Sequence, residues 1–133
     1  MRKKGFLHLV FWAIAMFLVL PAMAQSESVV TLSGNAYITS GHTAFIDEEQ
    51  SAVRNWNDKK TVISFYFRTE KIGNMNIALQ AKGNSKIEVS LLGKKKKITL
   101  ESDDLSRIEL GTFKVENPGY IKMDIRGLKI NQG

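Results

Sequence analysis

The chain has 133 residues, no cysteine, and 19 lysine and arginine side chains against 13 aspartates and glutamates, a formal net charge of +6. Without cysteine there is no disulfide framework, no thiol nucleophile and no lipid-attachment cysteine, so stability must come from a packed core. Arg2, Lys3 and Lys4 account for three of the cations, and the remaining excess of +3 gathers largely in Lys94 to Lys97, which speaks against a nucleic-acid surface spread over one face.

In chain order, the first expected element is an export leader. Arg2-Lys3-Lys4 is a cationic start, Phe6 to Leu20 is an apolar run, and Ala22-Met23-Ala24 is a small-x-small cleavage site. The run is shorter than the roughly twenty residues that cross a bilayer, and Pro21 before the cleavage motif suits a peptidase better than an anchor. Cleavage near Ala24 is expected to release Gln25 to Gly133 into the periplasm or outside the cell, free of the membrane. That length fits one domain, 25–133, and is too short for two.

Beyond the leader, apolar residues recur with period two, and Gly, Asn, Asp or Pro interrupts them at short intervals. This rhythm predicts an all-β, antiparallel sandwich. The expected strands are Val29 to Ser33, Asn35 to Thr39, Thr43 to Ile46, Val62 to Thr69, Asn74 to Lys82, Lys86 to Leu92, Lys96 to Leu100, Ser106 to Val115 and Tyr120 to Ile125, with a short last strand over Leu128 to Ile130. Helical patterning is poor, and the best stretch for a single turn is Glu48 to Val53. Alternation sends Ile63, Phe65 and Phe67, then Met75, Ile77, Leu79 and Ala81, then Ile87, Val89 and Leu91 into the core. Gly93-Lys94 is the expected hairpin turn, Asn117-Pro118-Gly119 another turn, and Gly111 a bulge that returns Phe113 and Val115 to the core side.

The catalytic inventory is thin, so no enzyme is expected. His42 is the single histidine after the leader, it lies in the turn Ser40-Gly41-His42, and no acid is placed to orient it. No pair among Asp47, Glu48, Glu49, Asp103, Asp104 and Asp124 is singled out for glycoside hydrolysis. Neither Asp47-Glu48-Glu49 nor Glu101-Asp103-Asp104 matches a defined calcium loop, so no metal ligand is assigned. Strand alternation would split Lys94 to Lys97 between two faces, a device that keeps an edge soluble rather than an anion site.

The aromatics carry more information. Tyr37, Trp56, Tyr66 and Tyr120 are out of phase with the core or in expected loops. Trp56 stands in Arg54-Asn55-Trp56-Asn57-Asp58, where an indole between two amides suits stacking on a sugar ring with Asn55 and Asn57 bonding its hydroxyls; the alternative is a core plug over one end of the sandwich. Trp56 and Tyr37 are therefore the stacking candidates, with Asn35, Asn55 and Asn57 as polar partners. The alternating Tyr120, Lys122, Asp124 and Arg126 are expected to form a sheet surface in which cross-strand pairing with acids satisfies the cations.

Gly34 to Gly41 (G-N-A-Y-I-T-S-G), Trp56, Ser64 to Arg68 (S-F-Y-F-R), Ser85 to Val89 (S-K-I-E-V), Gly111 to Phe113 (G-T-F) and Gly119 to Asp124 (G-Y-I-K-M-D) stand in one order along the chain. On these blocks, from about Val30 to Gly127, the sequence resembles a family of exported bacterial domains catalogued as domain of unknown function five-thousand-and-seventy-seven, itself similar to jelly-roll, galactose-binding-like carbohydrate-binding modules. The resemblance implies a noncatalytic module with glycan as partner, no cofactor beyond a structural calcium of the kind that often bridges the first and last strands of jelly rolls, and frequent company of a second domain downstream. The chain departs from it in showing no full closing strand after Leu128-Lys129-Ile130 and no downstream domain. The alternative expectation is a structural or protein-interaction domain of a secreted assembly, in which Tyr66, Arg68, Tyr120, Lys122 and Arg126 face the partner.

Overall fold

The computed structural model describes residues 27–130; the expected leader and its cleavage site near Ala24 lie outside them. Seven strands follow in order: β1 (Ala36–Ser40), β2 (Phe45–Asp47), β3 (Ala52–Arg54), β4 (Val62–Thr69), β5 (Gly73–Leu91), β6 (Lys94–Val115) and β7 (Gly119–Ile130). Every pairing is antiparallel, with a five-stranded sheet in the order β1-β4-β7-β5-β6 and a small β2-β3 hairpin. The protein is all-β, as the period-two pattern predicts.

The predicted strand at Val62 to Thr69 coincides with β4. Four other predictions merge in pairs. Asn74 to Lys82 and Lys86 to Leu92 are one strand, β5, and Lys96 to Leu100 and Ser106 to Val115 are one strand, β6. Tyr120 to Ile125 likewise runs on through Leu128 to Ile130 as β7. The glycines and acids that looked like turn punctuation stay in the ladder as bulges. Between Ala81↔Ser106 and Gly83↔Ser102, Lys82 alone faces Asp103, Asp104 and Leu105, and Gly83 has a φ of 123°. Extra residues on one strand increase bend and twist, and here the whole β5-β6 hairpin folds over.

Folding at that point creates the second layer. Ile87, Val89 and Leu91 of β5 and Leu100 of β6 lie in the main sheet, alongside Ile63 and Phe65 of β4 and Ile121, Met123 and Ile125 of β7. Leu110, Phe113 and Val115 from the far half of β6 join the same buried cluster, with Met75, Ile77 and Leu79 of β5 packed against it. Two layers of extended chain thus enclose one core. Gly111 has a φ of 103° and the register skips Leu110, so the predicted bulge exists and brings Leu110, Phe113 and Val115 all inward.

Three local expectations are corrected. No strand forms over Val29 to Ser33: the amides of Asn35 and Ala36 both donate to the Leu32 carbonyl at 3.1 and 2.9 Å, and Gly34 takes a φ of 75°, so the Ser-Gly-Asn sequence closes a turn ahead of β1. No helix forms over Glu48 to Val53; residues 48–51 are the turn of the β2-β3 hairpin, in which the Asp47 carboxylate accepts the Gln50 amide at 3.0 Å. The hairpin turn between β5 and β6 is Leu92-Gly93, one residue earlier than Gly93-Lys94, because Leu91 and Lys94 close the ladder and both turn residues have positive φ (48° and 74°).

Candidate ligand-binding face

The loop that carries Trp56 is organised by Asp58. One carboxylate oxygen accepts the Lys60 and Thr61 amides, each at 2.7 Å, and the other accepts the hydroxyls of Thr43 at 2.5 Å and Thr61 at 3.1 Å. These donors, the Thr43 hydroxyl foremost, hold the Asp58 carboxyl below its ordinary value of 3.8. Thr61 is buried, and a Cβ at Gly41 (φ 89°) would sit 2.7 Å from the Thr61 Cα, so the loop beside His42 passes this point only as glycine.

Trp56 projects from this loop toward the core side of the main sheet. It packs against the central cluster, and its Cζ2 lies 3.7 Å from where a Cβ on Gly127 would be. The indole Nε1 is buried without a hydrogen-bond partner. Asn55, with a φ of 54°, and Asn57 are both exposed on either side of it. The ring is half-buried against the core cluster, and the two flanking asparagines are exposed.

Tyr37 stands on the other surface of the same sheet. In antiparallel pairs directly opposed residues share a face, and the register puts Tyr37 opposite Ser64, Ser64 opposite Asp124, and Asp124 opposite Ser90. This is the face away from the core. Tyr37 and Tyr66 meet edge to face, centroids 5.9 Å apart at 66°, and are 52% and 37% exposed. The Tyr37 hydroxyl donates to the Gly34 carbonyl at 3.2 Å, which fixes the ring. Asn35 spends its amide hydrogens on the Thr31 and Ser33 carbonyls, 3.1 and 3.3 Å, and so holds the turn before β1. The sheet separates the Tyr37 and Asn35 group from the Trp56, Asn55 and Asn57 group.

The same face carries a polar network assembled by strand register. Thr39 and Ser64 hydroxyls lie 2.7 Å apart, Ser64 donates to Asp124 at 2.5 Å, and Lys122 pairs with Asp124 at 3.1 Å. Glu88, whose side chain is 8% exposed, takes Arg126 Nε and Nη2 at 2.9 and 2.8 Å, with Lys95 at 3.9 Å. The expected cross-strand pairing of Arg126 with an acid is thus present. Its legible signal is the phase of Ser64, Tyr66, Arg68 and Lys122, Asp124, Arg126; the acid Glu88 lies on a strand whose place beside β7 no local pattern reveals. Tyr120, 79% exposed and opposite Arg68, extends the row of tyrosines across β1, β4 and β7.

A family model described as Domain of unknown function (DUF5077) matches residues 30–133, most of the chain. No curated protein matches it.

Proposed function

We propose that this chain, which belongs to that family of domains of unknown function, is an exported noncatalytic module that binds carbohydrate on the outer face of its main sheet. The observation that carries the reading is the exposed, mutually braced Tyr37 and Tyr66 pair on the face of the main sheet away from the core. Aromatic rings offer an apolar surface to the C–H face of a sugar at little conformational cost, and rigid strands hold them in place. Lys122 and Arg68 stand beside the rings as donors for hydroxyls, and Thr39, whose own hydrogen goes to Ser64, offers an acceptor. Trp56 is assigned a packing role, with Asn55 and Asn57 as solvent-facing amides of its loop.

Affinity electrophoresis of the purified protein through a panel of soluble polysaccharides tests this. Retardation by at least one polysaccharide is expected, abolished by Tyr37→Ala or Tyr66→Ala in variants that keep their β circular dichroism. Absence of retardation in every gel, or retardation indifferent to both tyrosines, overturns it. Retardation lost only in Trp56→Ala moves the site to the loop. A protein partner is the second reading, favoured by Tyr120 at 79% exposure beside Arg68, since tyrosine and arginine are enriched where proteins meet.

A further inference from the structure

Register gathers charge on the tyrosine face that is scattered in the sequence. Arg68 comes from β4, Lys122, Arg126 and Lys129 from β7, Lys86 from β5, and Lys95 and Lys97 from β6, all opposed to residues of the same face. The acids there are Glu88, Asp124 and Glu101, with Glu70 3.9 Å from Arg68, so the face holds seven cations and four anions, a charge of +3. The described residues carry 16 cations and 13 anions in all, which leaves nine of each elsewhere and no net charge. The positive excess of the described residues gathers on this face.

The acids do not cancel it outwardly. Glu88 is buried beneath Arg126 and Lys95, Asp124 is taken by Ser64 and Lys122, and the exposed Glu70 offsets Arg68 alone, at 3.9 Å. The cations, in contrast, stand in solvent: the side chains of Arg68, Lys95, Lys122 and Arg126 are all about half exposed or more. A one-signed field of this kind raises the local concentration of anionic ligands. The exposed aromatic side chains at paired positions of this face are the tyrosines.

We infer that the glycan taken by this face is acidic, its carboxylates or sulfates meeting Arg68 and Lys122 while its rings rest on Tyr37, Tyr66 and Tyr120. The inference rests on the carbohydrate reading above and names the substrate class of the same site. Arg68 is opposite Tyr120 and Lys122 opposite Tyr66, so each cation adjoins a ring, the spacing a uronic acid needs to use both its ring and its carboxylate.

The test measures affinity of the purified protein for polygalacturonate, for the same polymer after carboxyl reduction, for single-stranded DNA and for phosphatidylglycerol vesicles, at low and at moderate salt. Polygalacturonate is expected to bind about tenfold or more tighter than its reduced form and to weaken as salt rises. Arg68→Gln or Lys122→Gln should each weaken it several-fold, whereas Lys114→Gln, on the outward side of the other layer opposite Asn74, should leave it unchanged. Equal affinity for the reduced polymer, or no affinity for either polymer, overturns the inference, while the carbohydrate reading stands or falls with the polysaccharide panel and the tyrosine variants. Tighter binding to DNA or vesicles, or polygalacturonate binding that survives the Tyr37→Ala, Tyr66→Ala double variant, also overturns it.

Discussion

Lys96 Nζ lies 5.2 Å from the centre of the Phe113 ring, yet both residues belong to β6 and stand 17 positions apart. In a straight strand they would be separated by about 55 Å. The contact is possible only because the β5-β6 hairpin folds at Lys82-Gly83 and Ser102 to Ser106, laying its outer half over the core face of its inner half. A lysine on the core side of the main sheet thereby finds a partner: its stem crosses the layer gap and its ammonium meets the ring of the most buried aromatic.

Phe113 joins the two layers, so Phe113→Ala is expected to cost about 3–5 kcal/mol in urea denaturation, while Lys96→Met, which keeps the stem, costs about 0.5–1 kcal/mol. A loss below about 1 kcal/mol for Phe113→Ala would mean that the layers do not share a core.

Gly111 has a φ of 103°, and a Cβ there would strike the tip of Lys96, a flexible side chain able to move. Backbone conformation rather than collision should then dominate Gly111→Ala, at about 1–3 kcal/mol. The double variant with Lys96→Ala separates the two causes: stability regained in the double variant would assign the cost to the collision.

Leu92 is a non-glycine residue with a φ of 48° in a two-residue hairpin turn followed by Gly93. Asparagine tolerates that conformation, and Asn-Gly is the favoured pair for such turns. Leu92→Asn should therefore stabilise the protein by about 0.5–1 kcal/mol and raise its melting temperature by a few degrees; a lower melting temperature would show that the half-exposed leucine packs more than it strains.

Asp58 contributes stability through its ionised form, because its carboxyl is held below 3.8 in the folded state by the Thr43 and Thr61 hydroxyls and the Lys60 and Thr61 amides. That contribution is full above the unfolded-state value and fades as pH falls through the lowered folded-state value. Asp58→Asn should be less stable than wild type near neutrality and about pH 5, with the gap narrowing by about pH 3. A gap that stays constant down to the acid limit would contradict the assignment.

The inward sets Ile63, Phe65 and Ile87, Val89, Leu91 were legible because strand alternation is a property of neighbouring residues. The bulge at Gly111 was legible for the same reason: Leu110 and Phe113 cannot share a face unless a residue is skipped. The continuity of β5 and β6 was not. Gly83 and Asp103-Asp104 carry turn chemistry, and only the opposing strand decides whether such residues leave the ladder or bulge within it. The candidate face divided likewise. Tyr37, Tyr66 and Tyr120 were marked by being out of phase with the core, but the gathering of Arg68, Lys122, Arg126, Lys95 and Lys97 around them was hidden, because an isolated look at Lys94 to Lys97 shows only charge split in two.

The sequence alone determined that this protein is built from antiparallel strands and which side chains turn inward, since each follows from period two and from local turn chemistry. Which strands lie side by side, where the long hairpin folds, and that Trp56 and Tyr37 stand on opposite surfaces were decided by tertiary structure. The physical reason is that pairing between residues as distant as Glu88 and Arg126, or Tyr37 and Ser64, is selected by burial of the whole core and by the loops that close around it, and leaves no periodic mark on either strand.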